Sequence, residues 1–140
     1  MKISIVGSSK FAKEMLEYQN KLRELGHEVN IHKDYVALAN NQADVIASRI
    51  NQEHSQLKIE NDYIRWHYNE IVNSDAILVL NFDKNGVANY VGGNTLMEIG
   101  FAHVHNKKIF LLNNVPNMPY SEEIQATQPI VLNNDLTQIS

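Results

Sequence analysis

Apolar positions along this chain follow two periods, and the alternation between them sets the architecture. Ile3, Ile5 and Val6 make a short β-branched run closed by Gly7, the pattern of a buried strand. Phe11, Met15, Tyr18, Leu22 and Leu25 then recur at steps of four and three, one stripe of an amphipathic helix. Gly26 follows as the expected glycine just past its end. His27–His32 alternates and reads as an outer strand, and the polar "KDYVALANNQ" reads as an irregular surface excursion. Ala43, Ile46, Ala47 and Ile50 predict a short helix, and Leu57, Ile64, Tyr68, Ile71 and Val72 a longer one.

The run Ala76–Phe82 is apolar without interruption apart from Asn81, as expected of a central parallel strand covered on both faces. An Asn- and Gly-rich loop, "DKNGVANYVGG", leads to a helix from about Asn94 to His105. "KKIFLLN" is the next strand, "VPNMPY" a turn, "SEEIQAT" a short helix and "PIVL" a last strand. Strands alternating with helices require right-handed crossovers and a mostly parallel sheet. The expected fold is one three-layer α/β domain over 1–140, flavodoxin-like (Rossmann-like), with five strands in the order 2-1-3-4-5. No internal repeat or low-complexity tract interrupts it.

Ligands of such sheets bind beyond the carboxyl ends of the strands, where the strand order reverses. That point lies between the first strand and Ala76–Phe82. Two loops meet there: Gly7, Ser8, Ser9, Lys10 and Phe11, and the segment from Asn81 through Asp83 to Gly92, Gly93 and Asn94. Both run into helix N-termini, whose unpaired N–H groups favour anions. Ser8, Ser9 and Lys10 suit a phosphate or a sugar hydroxyl, although either serine also serves as an ordinary N-cap. Asp83 stands on this side of the sheet, whereas Asp75 stands at the opposite end of the same strand.

Glu98 has two readings. With Thr95 it matches the S/T-x-x-E capping box, in which each side chain satisfies the other's backbone donor. Against that, Gly92 and Gly93 precede it directly, and paired glycines let a backbone approach a ligand closely.

Composition narrows the chemistry. The chain has 140 residues, 44% of them hydrophobic and 20% charged, a globular balance. A net charge of −4 without a Lys/Arg run argues against nucleic acid or an anionic membrane as partner. No apolar run is long enough to span a bilayer, and the apolar start before Gly7 is too short for a signal peptide, so a cytoplasmic protein is expected. With no cysteine there is no disulfide and no thiolate site. His103 and His105 are two apart and face different sides of a helix, and no H-E-x-x-H occurs, so no metal site is expected. G-x-G-x-x-G and G-x-x-x-x-G-K-[ST] are both missing, which argues against dinucleotide redox chemistry and ATP hydrolysis. Tyr63, Trp66 and Tyr68 read as core or interface aromatics rather than a stacking platform.

"MKISIVGSSKFAKEM", "NSDAILVLNFD" and "GGNTLMEIGFAHVHNKKIFLL", in this order, resemble the nucleoside 2-deoxyribosyltransferase-like proteins. The resemblance covers about Met1 to Leu112 and includes the E-[IL]-G-x-A stretch as Glu98-Ile99-Gly100-Phe101-Ala102. It implies the flavodoxin-like fold, no cofactor, and cleavage or transfer at the N-glycosidic bond of a (deoxy)nucleoside or its 5′-monophosphate, including monophosphate hydrolases. It also implies that Glu98 attacks or stabilises the anomeric carbon, and that the site is completed in a homo-oligomer, a dimer or larger.

The chain departs from the family pattern at two positions. Gly92 stands where many members carry Asp or Ser, six residues before the glutamate, and His67 stands where many carry Asp. His67 then becomes the candidate acid for the leaving base, with Asn94 or Asp83 replacing the missing sugar contact. The same departures motivate an alternative, a non-catalytic nucleotide-binding or sensing module. "GGNTLME" is also similar, one residue short, to the G-G-x-G-T-x-x-E stretch of the cytokinin-activating phosphoribohydrolases, which again cleave an N-glycosidic bond.

Overall fold

The computed structural model of the chain describes residues 1–40 and 56–140, with 56–62 as backbone only. The expected helix at Ala43, Ile46, Ala47 and Ile50 lies outside the described residues. Five strands form one sheet: β1 (Lys2–Gly7), β2 (Glu28–Asn30), β3 (Ala76–Leu80), β4 (Lys108–Leu111) and β5 (Ile130–Val131). All neighbours are parallel and the order is β2-β1-β3-β4-β5, the expected arrangement. The helices are α1 (Ala12–Glu24), α2 (Lys33–Ala39), α3 (Gln56–Val72), α4 (Gly93–Val104) and α5 (Ser121–Ala126), with one-turn 3₁₀ segments at Ser9–Phe11 and Leu136–Gln138.

Pleating divides the core into two layers. Ala76, Leu78 and Leu80 of β3 join Ile3 and Ile5 in packing on Met15, Tyr18 and Leu22 of α1. Ile77 and Val79 face the other way, with Val6, towards Ile71 of α3 and Ile99 and Ala102 of α4. Every residue of β3 is buried, which is why its sequence is continuously apolar rather than alternating. Each such side chain contributes about 1.5–3 kcal/mol by leaving water.

Gly26, at φ +91°, ends α1 as its composition predicts. Leu25, the last residue of the α1 stripe, is exposed beside it. The outer strand is shorter than His27–His32, only three residues. The larger departure is "KDYVALANNQ", read as irregular and in fact carrying α2. His32 supplies the N-cap, its Nδ1 accepting the Asp34 backbone N–H at 3.0 Å. Histidine is not among the usual N-cap residues, and a two-turn helix carries too few positions for its period to stand out.

Candidate active site

The carboxyl ends of β1 and β3 meet at Gly7, whose register partner is Leu80. A Cβ on Gly7 would stand 3.0 Å from the Leu80 carbonyl oxygen, and its φ is +155°. Only glycine fits that approach without strain. Asn81, fully buried, then ties the end of β3 to that of β4. Its Nδ2 donates to the Asn113 and Asn114 carbonyls at 2.9 and 3.0 Å, and its Oδ1 accepts from the Asn113 N–H at 2.9 Å.

The loop after β3 contains a tight turn. Lys84 and Val87 exchange backbone hydrogen bonds of 3.0 and 2.9 Å across Asn85 and Gly86, both with positive φ. This is the geometry of an Asn-Gly hairpin. The turn brings Lys84 back over the sheet end, where its Nζ donates to the Ser8 Oγ at 2.9 Å and lies 4.9 Å from the Tyr90 ring centroid. Asp83 braces the same loop, its Oδ1 accepting the Asn89 N–H at 3.0 Å.

Helix α4 begins at Gly93 with Gly92 as N-cap and no side-chain cap. Thr95 therefore sits inside the first turn and cannot act as the N-cap of a capping box with Glu98. The buried stripe of α4 is Thr95, Glu98, Ile99 and Ala102, so Glu98 occupies a position where the helix period calls for an apolar residue. It is 7% exposed, and its Oε2 is buried with no hydrogen-bond partner among the described residues. Loss of solvation pushes its pKa from 4.5 up to about 8. An orphaned carboxyl of this kind is costly for folding and typical of functional sites.

Glu98 faces a cavity of about 240 Å³. His67, Ser9 and Asn94, expected at the site, line it, together with Asp34 and Tyr35 of α2, Tyr63 of α3, and apolar walls from Leu38, Ile64, Met97 and Phe101. His67 is 4% exposed. Its Nδ1 lies 2.9 Å from the Tyr63 carbonyl oxygen, which only accepts, so the hydrogen is on Nδ1 and Nε2 presents a lone pair. Burial pushes the His67 pKa down, so the neutral ring prevails at neutral pH. The ring is thus an acceptor, the reverse of the proton donor its sequence position suggests. Tyr63 also donates its hydroxyl to Asp34 Oδ2, and burial raises the Tyr35 pKa, keeping its hydroxyl protonated.

A second cavity of about 260 Å³ adjoins the first, sharing Ser9, Tyr35 and Asn94. Gly7, Ser8, Gly92 and Gly93, all expected at the site, line it, with Lys84, Tyr90 and Thr95. Three expected residues are not brought in. Phe11 is buried edge-to-face on Phe82, ring centroids 5.2 Å apart, and belongs to the core. Lys10 is exposed and lines neither cavity; Lys84 supplies the cation instead. Asp83 is likewise outside both cavities, its carboxylate spent on the loop.

Sequence reasoning missed Asp34, Tyr35, Tyr63, Lys84 and Tyr90. For Lys84 the signal was present, since Asn85-Gly86 is a strong hairpin pair that fixes where its neighbours point. Among the described residues no group of three or more His, Asp or Glu side chains is placed to hold a metal ion, and no helix is long and apolar enough to cross a membrane.

No protein-family model matches the chain, and no curated protein matches it. Among solved structures it is similar to the CMP N-glycosidase BcmB of Clostridium botulinum, with a TM-score of 0.53 and 16% identity, over 94% of this chain and 85% of that one. The two share a fold. That fold is the flavodoxin-like α/β sheet of order 2-1-3-4-5 expected from the sequence.

Proposed function

We propose that this protein cleaves, or transfers at, the N-glycosidic bond of a nucleoside 5′-monophosphate, with Glu98 acting at the anomeric carbon. The observation that carries the reading is the buried Glu98 carboxyl, without a partner among the described residues, facing a cavity at the point where the strand order reverses. The N-glycosidase named above, of the same fold, supports the reaction class.

The chemistry follows from the burial. As the bond between the sugar carbon and the base nitrogen breaks, its electron pair leaves with the base and positive charge develops on the sugar. A carboxylate in a poorly solvated site is stabilised strongly by that charge, because no water competes for it. A water molecule or a second base then bonds to the sugar carbon, and the proton that it gives up goes to the departing base, giving hydrolysis or transfer. With its pKa raised to about 8 by burial, Glu98 holds a proton at neutral pH and must lose it before it acts.

The adjoining cavity suits a 5′-phosphate. The Lys84 ammonium, the Ser8 hydroxyl and the N-terminal N–H groups of α4 surround it, a combination of charge and backbone donors that anions favour. Apolar Leu38, Ile64, Met97 and Phe101 in the first cavity suit the faces of a base. The protein is further proposed to be a homo-oligomer. Met97 and Val104, seven residues apart and so on one face of α4, are 40% and 75% exposed, and light scattering checks this.

The test is incubation with panels of nucleosides and their 5′-monophosphates, with and without an acceptor base, followed by chromatography. Release or exchange of base from monophosphates, much weaker from nucleosides, is the expected result. Saturable nucleotide binding with no turnover would instead favour a sensing module.

A further inference from the structure

A lysine is a weak anion trap unless something holds it, because its four-carbon stem has many rotamers to lose on binding. Lys84 is held. Its Nζ donates to the Ser8 Oγ at 2.9 Å and stands 4.9 Å from the centroid of the Tyr90 ring. At that separation an ammonium is attracted to the negative face of an aromatic ring. Among the described residues no carboxylate pairs with Lys84. An ammonium has three donors, so its charge and the donors not turned to Ser8 stay open to an anion in the second cavity.

The ring is itself fixed. The Tyr90 backbone N–H donates to the Phe82 carbonyl at 2.9 Å. The next residue, Val91, is fully buried, and its carbonyl accepts the Tyr120 hydroxyl. Gly92 follows at φ −81° and ψ 175°, a conformation open to any residue, so the backbone there does not call for glycine. The tyrosine does. A Cβ on Gly92 would lie 3.2 Å from the Tyr90 Cε1 and 3.4 Å from its hydroxyl oxygen. Gly92 thus leaves the ring room to lie against the chain.

We propose that Tyr90 is a positioning residue for anion binding: its ring face, seated against Gly92, holds the Lys84 ammonium at the second cavity before a ligand arrives. A 5′-phosphate then meets a cation already in place, and the cost of ordering the lysine is removed from binding. The face of the ring does this, and the phenol hydroxyl has no part in it. The inference rests on the phosphate reading of the second cavity and names the residue that makes its cation effective.

Calorimetric titration in a Glu98→Gln background, chosen to suppress turnover, measures the effect. The common ribo- and deoxyribonucleoside 5′-monophosphates and their nucleosides are the probes, and the ratio of the two affinities is the phosphate preference. Tyr90→Leu should lower that preference about fivefold, the scale of a partly buried cation–π contact, while nucleoside binding holds. Tyr90→Phe keeps the face, loses the hydroxyl and should restore the preference. In a Lys84→Met background Tyr90→Leu should change nothing further, because the ring acts through the lysine. An unchanged preference in Tyr90→Leu, or an equal loss of nucleoside and monophosphate, overturns the proposal. So does a Tyr90→Phe protein as weak as Tyr90→Leu, or a full Tyr90→Leu effect without Lys84. Each of these leaves the phosphate reading standing. A parent that binds monophosphates no more tightly than nucleosides sinks that reading and the proposal together. The expected pattern without base release supports the positioning role and counts against the glycosidase reading.

Discussion

The Nζ of Lys84 donates to the Oγ of Ser8 across 2.9 Å, joining the loop that follows β3 to the loop that follows β1. The two residues are 76 positions apart in sequence and meet only because parallel pairing brings Gly7 beside Leu80. In this way the topology assembles a cation and a hydroxyl at one end of the sheet. Removing the cation should cost what a charged hydrogen bond to a phosphate contributes, about 1.5–3 kcal/mol. Lys84→Met is therefore expected to raise the KM for a nucleoside 5′-monophosphate by roughly tenfold or more. The KM for the unphosphorylated nucleoside should stay near its parent value. Steady-state kinetics on both substrates checks this, and equal losses on the two would contradict the phosphate assignment.

Glu98 makes stability depend on pH in a defined direction. Its pKa rises from 4.5 in water to about 8 in the folded chain. Between those values the folded state keeps a proton that the unfolded state has lost, so stability falls as pH rises through this window and levels off above it. Glutamine is neutral throughout. Glu98→Gln should match the parent near pH 4 and exceed it at pH 7 by on the order of 3 kcal/mol, at about 1.4 kcal/mol per pH unit. Denaturant unfolding at the two pH values measures the difference. A variant less stable than its parent at pH 7 would mean that the carboxyl is satisfied in the native state.

The same pKa shapes the rate. If the carboxylate is the reactive form, kcat/KM for the free protein rises with pH, about tenfold per unit, and flattens near pH 8. His67 adds no opposing limb as an acid near neutrality, since burial holds its pKa low. A profile flat from pH 6 to pH 8 would remove Glu98 ionisation from the mechanism.

Gly7 is a structural requirement of the site. A side chain there meets the Leu80 carbonyl at 3.0 Å in a backbone conformation that L residues rarely adopt. Gly7→Ala should destabilise the fold by about 1–3 kcal/mol and lower substrate affinity, because the shift falls on the loop that carries Ser8 and Ser9. Thermal unfolding with a parallel binding assay checks both effects.

Much of this was legible in the residues because the sheet is buried on both faces. The apolar run Ala76–Phe82 reads as a central strand, and β3 occupies Ala76–Leu80 of it. Glu98 was legible as a candidate because a carboxyl stands on the inward stripe of a helix behind two glycines. The structure removes the capping-box reading, since Gly92, not Thr95, is the N-cap. Less legible was the wall of the Glu98 cavity that α2 and α3 supply. Asp34 and Tyr35 belong to a two-turn helix capped by a histidine, a start that the usual capping rules do not flag. Tyr63 reads as core or interface because aromatics are ordinarily buried, whereas it lines the cavity. The tautomer of His67 depends on a backbone contact one turn away, which no spacing rule reports.

The central claim is tested most directly by the time course of base release from a nucleoside 5′-monophosphate, with the parent and Glu98→Gln proteins run side by side. Both must first be shown to be folded by thermal unfolding. The parent should release free base, or exchange it when an acceptor base is present, and the variant should be slower by about 10²–10³-fold or more, the scale on which removing one electrostatic stabiliser acts. Base release by Glu98→Gln at the rate of the parent would contradict the account.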